Sequence, residues 1–112
     1  MNDLLVRWVV AFAFTEIIEV PIYRRMLGSG FLEALGASAV THPLLWFVFV
    51  PAVRHNLSYV QYAAIGELLV VLVEALWFRV LFKRKGALLG SLAANGASYL
   101  LGLVAHALFG WP

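Results

Sequence analysis

Four glutamates lie inside the hydrophobic stretches of this chain, where ionisable side chains are costly. Glu16 and Glu19 belong to the first stretch, and Glu67 and Glu74 belong to the third. A charged side chain at the centre of a membrane costs about 2.5–3.5 kcal/mol on insertion scales. A glutamate in low dielectric favours its neutral form, so it can take up a proton near neutral pH. These residues therefore indicate a site for a proton or a cation.

Helical spacing places the glutamates of each stretch on one helix face, and it places polar side chains of the other stretches at a similar depth in the membrane. Glu16 and Glu19 are three residues apart, and Glu67 and Glu74 are seven apart, so each pair shares one helix face. The second and fourth stretches add polar side chains at matching depth, counted at ~1.5 Å per residue. These side chains are Ser38, Thr41, His42, Asn95 and Ser98. The predicted binding site consists of Glu16, Glu19, His42, Glu67, Glu74 and Asn95.

A structural role for the glutamates is the alternative interpretation. Each could bond to Arg24, Arg79, His42 or Asn95 and hold two helices together. One or two such residues would suffice for that purpose, so four favour a function. Proton relays use chains of Glu and His, and oxygen and imidazole ligands also suit a divalent metal, so the identity of the bound ion stays open.

Composition indicates that lipid surrounds the elements that carry these residues. The chain has 112 residues, of which 63% are hydrophobic and 12% are charged. A soluble domain of this length could not bury so much apolar surface, because small domains have a high surface-to-volume ratio. The net charge of +2 is too small to indicate nucleic-acid binding, and the absence of cysteine excludes disulfides and thiolate metal sites.

Charged and turn residues divide the chain into four apolar stretches within a single domain, 1–112. We predict transmembrane helices over residues 4–23, 31–53, 59–82 and 86–111. Each is close to the ~20 residues that cross ~30 Å of hydrocarbon, and backbone groups in lipid require helices. Residues 11–13 (AFA) resemble a signal-cleavage site, but the apolar run before them is short, so we expect the first helix to be retained.

Basic residues set the expected orientation of these helices. The loops after the first and third stretches carry Arg24, Arg25, Lys83, Arg84 and Lys85. The opposite side has only Arg7 and Arg54. By the positive-inside rule, both termini lie on the non-cytoplasmic side. Aromatic residues agree with these boundaries, with Tyr23 assigned to the inner interface and Trp111 to the outer one.

The two halves of the chain resemble each other. Residues 18–24 align with residues 73–79, which places Glu19 on Glu74, and residues 38–41 align with residues 95–98. Each half holds two helices and enters the membrane in the same direction. The fold class predicted is therefore an all-α, integral membrane four-helix bundle of two parallel-repeat hairpins, with a pseudo-two-fold axis along the membrane normal. Chance similarity between two apolar hairpins is the alternative.

Four motifs together resemble a group of small bacterial four-helix membrane proteins. The motifs are residues 15–21 (TEIIEVP), residues 41–46 (THPLLW), the stretch from Glu67 to Glu74, and residues 95–98 (NGAS). The resemblance covers nearly the whole chain and implies only the fold and the repeated motif. We expect the protein to lie in the bacterial inner membrane. That group has no assigned function, so the resemblance implies no chemistry.

Small residues recur at every fourth position of the last stretch and let helix backbones approach closely. They are Gly86, Gly90, Ala94, Ser98 and Gly102. This row predicts helix packing within the bundle, in a homo-oligomer or in a larger membrane complex.

The sequence contains no metalloprotease, nucleophile-elbow or phosphate-loop motif. Intramembrane prenyl proteases combine glutamates, arginine and histidines, but their adjacent glutamate pair is absent because Glu16 and Glu19 are separated. We therefore predict a proton- or cation-linked transporter or channel and no enzyme. The alternatives are a non-catalytic subunit of a larger membrane complex and, with less support, an intramembrane hydrolase.

Overall fold

In the computed structural model, which describes residues 2–110, four helices follow one another with no strand between them. Helix α1 is Asn2–Leu27, α2 is Phe31–Val53, α3 begins at Tyr59 and ends at Leu81, and α4 is Ala87–Phe109. The predicted all-helical class is confirmed. Each helix overlaps one of the predicted stretches, although α3 ends one residue before the predicted 82 and α4 begins one residue after the predicted 86. The predicted end of the last stretch at Trp111 lies outside the described residues.

Local sequence accounts for the helix ends. After α1, Gly28 has φ +66°, and before α4, Gly86 has φ +71°. This left-handed conformation suits glycine because it has no Cβ, and it stops or starts a helix cleanly. Ser58 caps α3: its hydroxyl accepts from the Gln61 backbone N–H at 3.2 Å, and the Gln61 side chain accepts from the Ser58 N–H at 3.0 Å.

The first turn of α2 is tied to the α3–α4 loop by a bidentate ion pair. Arg84 donates through Nε and Nη2 to the two carboxylate oxygens of Glu33, at 2.9 and 2.7 Å. Trp77 donates from Nε1 to the Glu33 backbone carbonyl at 3.0 Å. These hydrogen bonds to Glu33 raise the pKa of Arg84 above its usual value. Arg84, which we expected only to orient the helices, therefore also fixes the loop.

The four helices form a ring in chain order. Helix α4 packs extensively against α1 and α3, and α2 packs against α1 and α3. At the end of the bundle that carries Gly28 and Gly86, the interior is apolar. Tyr23 and Phe78 are both 0% exposed there, with ring centroids 4.3 Å apart, and small residues such as Ala34 and Ala94 surround them.

Much of the outer surface of this bundle is apolar and part of its interior is polar, unlike a typical water-soluble domain. The outer faces are apolar: Ile17, Leu32 and Phe109 are 74%, 76% and 77% exposed. In contrast, Glu19 and Glu74 are each 1% exposed. Two helices, Phe31–Val53 and Ala87–Phe109, are long and apolar enough to cross a membrane by length and composition.

The row of small residues on α4 makes its close contact at its middle. Gly90, Ala94 and Ser98 are buried, whereas Gly86 precedes the helix and a Cβ on Gly86 or Gly102 would meet nothing within 4 Å. A Cβ on Gly90 would approach a side-chain carbon of Leu27 to 2.8 Å. Helices α1 and α4 therefore cross closely at Gly90.

We expect Gly90→Leu to destabilise the bundle by about 1–3 kcal/mol, because the added side chain overpacks this crossing. Leu88→Val on the same helix is the control, since Leu88 is 53% exposed. Thermal unfolding of the purified protein in detergent, followed by circular dichroism, measures both. Equal effects of the two substitutions would contradict the close crossing at Gly90.

Candidate functional site

The centre of the bundle holds two buried carboxyls, Glu19 of α1 and Glu74 of α3. Glu19 is paired through hydroxyls on two other helices. Ser38 of α2 donates from Oγ to Glu19 Oε1 at 2.9 Å, and Ser98 of α4 donates from Oγ to Glu19 Oε2 at 2.5 Å. Both oxygens of this carboxyl therefore have a partner.

Glu74 is held by a larger set of donors. Thr41 of α2 donates from Oγ1 to Glu74 Oε2 at 2.5 Å, and Asn95 of α4 donates from Nδ2 to Glu74 Oε1 at 3.1 Å. The hydroxyl of Tyr23 makes a short hydrogen bond to the same Oε1. Ser38 Oγ also lies 3.5 Å from Glu74 Oε2, so this hydroxyl lies within hydrogen-bonding distance of both carboxyls.

The network continues on the α4 side and ends at the apolar end of the bundle. Asn95 Nδ2 lies 3.1 Å from the Tyr23 hydroxyl and 3.2 Å from Ser91 Oγ. Ser91 in turn donates to the Val71 backbone carbonyl at 2.8 Å. Beyond it the ring of Tyr23 packs on Phe78, so the polar chain stops there.

Two of the hydroxyls have a second acceptor within reach. Thr41 Oγ1 lies 3.1 Å from the Ala37 carbonyl oxygen, and Ser98 Oγ lies 3.2 Å from the Asn95 carbonyl oxygen. A hydroxyl has one hydrogen and two lone pairs. It can donate to an ionised carboxyl, or it can donate to the backbone and accept from a protonated carboxyl. The site can therefore pair its polar atoms in either protonation state.

Three further predicted site residues lie towards the other end of the bundle. Glu16 is 8% exposed, and neither of its carboxyl oxygens has a hydrogen-bond partner among the described residues. Glu67 is half-buried, and its Oε2 has no hydrogen-bond partner among the described residues. His42 is 7% exposed; its Nε2 lies 3.3 Å from Thr15 Oγ1, while Nδ1 lacks a partner in the described chain.

A small cavity lies between these residues and the carboxyl pair. Its volume is about 10 Å³, and its walls include Glu19, His42, Glu67 and Glu74. A cavity of roughly this size is the smallest that holds one water molecule. The structure thus brings five of the six predicted binding residues to one cavity and its hydrogen-bond network, with Glu16 beside them on α1.

Aromatic rings surround His42. Its ring centroid lies 5.5 Å from that of Phe12, 6.1 Å from that of Trp46 and 6.3 Å from that of Trp8. These rings pack around the imidazole and hold it in place.

Sequence reasoning missed the two residues that extend the network on one side. Tyr23 was assigned to the membrane interface, but it is 0% exposed and its hydroxyl is bonded to Glu74. The signal was present, since Tyr23 lies four residues after Glu19 and shares its face. Ser91, also 0% exposed, lies four residues before Asn95 and could have been found in the same way.

The arginines offered as structural partners lie elsewhere. Arg24 and Arg79 are exposed, and within residues 2–110 neither forms an ion pair with a glutamate. The buried carboxyls are instead held by neutral donors.

The described residues contain no group of three or more His, Asp or Glu side chains placed to hold a metal ion. Any cation at the carboxyl pair would therefore depend on hydroxyl and amide oxygens as well. No protein-family model, no curated protein and no solved structure matches this chain. The chemistry of the site rests on its own residues.

Tyr23→Phe removes one hydrogen bond to a buried carboxyl while it keeps the ring. We expect the free energy of unfolding to fall by about 1–3 kcal/mol. Tyr99→Phe on half-buried Tyr99 of α4 is the matched control and should change it by less than about 0.5 kcal/mol. Denaturation in mixed detergent measures both values, and equal values for the two variants would argue against the Tyr23–Glu74 bond.

Proposed function

We propose that this chain is a multi-pass membrane protein of transporter or channel type, in which the Glu19–Glu74 pair binds and releases a proton or a cation. The observation that carries the proposal is the pairing of these carboxyls with the hydroxyls of Thr41 and Ser98. Each hydroxyl has a carboxyl and a backbone carbonyl within hydrogen-bonding distance. Such a site can gain or lose a proton without leaving a buried polar atom unpaired.

The distribution of apolar surface supports the membrane setting. Leucines, valines and phenylalanines cover the outer faces of all four helices, and the polar side chains turn inward. Helix α1 has 26 residues and so reaches ~39 Å, at ~1.5 Å per residue, which exceeds the ~30 Å of a hydrocarbon core. Basic residues in the α1–α2 and α3–α4 loops support termini on the non-cytoplasmic side of a bacterial inner membrane.

The hydrogen bonds of the two glutamates support the two-fold repeat. The alignment of the halves pairs Glu19 with Glu74, Ser38 with Asn95, and Thr41 with Ser98. Each glutamate accepts one bond from the helix that follows it in its own half and one from the equivalent helix of the other half. Exchange of the halves therefore maps one set of bonds onto the other, as a pseudo-two-fold axis requires.

Tyr23 makes the two carboxyls unequal. The alignment pairs Tyr23 with Phe78, and the rings of these two residues meet at 4.3 Å, as expected for equivalent positions beside an axis. Phe78 has no hydroxyl to offer Glu19, whereas Tyr23 donates to Glu74. Because hydrogen bonds to a carboxylate favour its charged form, a single negative charge belongs on Glu74 and a shared proton on Glu19.

The subunit alternative is less well supported. A non-catalytic subunit that used its polar residues to bind a partner would carry them on the outside of the bundle. Here Glu19, Glu74 and Asn95 are each 1% exposed and bond to one another's helices. The middle of the small-residue row on α4 is likewise occupied by contacts within the chain, at Gly90.

Glu19→Gln and Glu74→Gln test the proposed function, because glutamine keeps the shape and can donate to a neighbouring hydroxyl but cannot titrate. In proteoliposomes with an entrapped pH dye and an imposed potential, we expect proton flux to fall to the level of empty vesicles. Glu33→Gln is the control, since Glu33 pairs with Arg84 away from the site. The flux of Na⁺ and of K⁺ is measured in the same variants. If the variants fold correctly and their proton, Na⁺ and K⁺ fluxes are all unchanged, the proposal is excluded.

Topology is tested with single cysteines, because the chain has no natural one. We expect a cysteine at residue 2 to react with a membrane-impermeant reagent in intact cells, and one in place of Lys85 to react only after lysis, because Lys83, Arg84 and Lys85 favour the cytoplasmic side. Labelling at position 85 but not at position 2 would reverse the orientation.

A further inference from the structure

We propose that Glu67 and His42 form a proton relay that joins the Glu19–Glu74 pair to the end of the bundle where Trp8 lies. The relay rests on the proposed function, since it needs a carboxyl pair that exchanges protons. It assigns roles to two residues that the hydrogen-bond network of the pair does not include.

The relay residues occur once, whereas the carboxyl pair occurs in both halves. The alignment that pairs the two central glutamates places Glu67 opposite Phe12 and His42 opposite Tyr99. Neither Phe12 nor Tyr99 can replace its counterpart as a proton carrier near neutral pH. A binding site on the pseudo-two-fold axis uses equivalent residues from both halves. A proton path that leads to only one end of the bundle needs residues from one half only. The single-copy residues therefore lie where a directional path would begin.

The geometry of the cavity supplies the connection. Glu67 precedes Glu74 by seven residues on α3, a separation of ~10.5 Å along the helix, and both line the cavity. Glu67 Oε2 and His42 Nδ1 have no hydrogen-bond partner among residues 2–110. A buried polar atom without a partner costs about 1–3 kcal/mol. A cavity of about 10 Å³ reaches both residues and the carboxyl pair, and it is large enough for one water to link them in the proposed relay.

The titratable groups around this cavity are few. They are Glu19 from α1, His42 from α2, and Glu67 and Glu74 from α3, while α4 contributes Asn95, which does not titrate. Glu16 lies beside them on α1 but does not line the cavity. A proton can pass from Glu67 through the water to Glu74 or Glu19, and each transfer moves one proton along one hydrogen bond.

Exposure and packing give the relay its direction. Glu67 is half-buried, whereas both carboxyls of the pair are 1% exposed, so Glu67 is the more accessible entry point. His42 is held by Thr15 at Nε2 and by the aromatic rings around it, which leaves Nδ1 to exchange a proton with the water. The opposite end of the interior is filled by the Tyr23–Phe78 contact. Exchange therefore takes place from the Trp8 end.

Infrared spectroscopy of the full-length protein in lipid tests the relay. The carbonyl stretch of the protonated carboxyl of the pair is identified as the band lost in Glu19→Gln. On a change from H₂O to D₂O, this band shifts at the rate of proton exchange. We expect Glu67→Gln and His42→Gln to slow the shift about tenfold or more. Glu33→Gln, whose carboxyl pairs with Arg84 outside the cavity wall, should leave the rate unchanged.

The outcomes separate the relay from the proposed function. Unchanged exchange in folded Glu67→Gln and His42→Gln would overturn the relay while the pair still titrates. Equal slowing in Glu33→Gln would overturn it as well, because the slowing would then not depend on the cavity. If the Glu19→Gln and Glu74→Gln variants lose no carboxyl band, the pair holds no proton, and the proposed function fails together with the relay.

Discussion

Hydrogen bonding of two buried carboxyls is the constraint on which the interior of this bundle depends. Glu19 and Glu74 are each 1% exposed. Their hydrogen-bond donors are hydroxyls on α2, a hydroxyl and an amide on α4, and the phenol of Tyr23 on α1. Every helix supplies a carboxyl or a donor. A helix that rotated or slid would leave a buried polar atom unpaired at a cost of about 1–3 kcal/mol, so the network fixes the mutual register of all four helices.

Packing provides the close approach that these bonds require. Gly90 lets α4 lie against Leu27 of α1, and Gly66 lets α3 lie against Leu45 and Phe49 of α2. In the proposed membrane setting the apolar outer faces gain nothing from association, because lipid tails are as apolar as leucine. Small residues and inward polar groups then determine which helices pack together, and the outer leucines and valines contact the lipid tails.

The site combines a glutamate that occurs in both halves of the chain with side chains that occur in one half only. Under the proposed repeat, each glutamate has equivalent donors, which accounts for a pair that can share a proton. Tyr23, His42 and Glu67 fall outside that equivalence. They make the two carboxyls unequal and the two ends of the bundle different. A symmetric pair can store a proton, but only single-copy residues can give its movement a direction.

The sequence by itself determined the four helices and the polar residues inside them, because run length, charges and turn residues depend only on local chemistry. It also indicated that Glu19, Glu74 and Asn95 belong together, since helical rise fixes their depth. Tertiary structure alone decided the partners. Tyr23 moved from an expected interface to the core, and Arg24 and Arg79 point outward and leave the glutamates to neutral donors. Periodicity defines a helix face, but the rotation of that face relative to its neighbours depends on side-chain packing across the whole bundle.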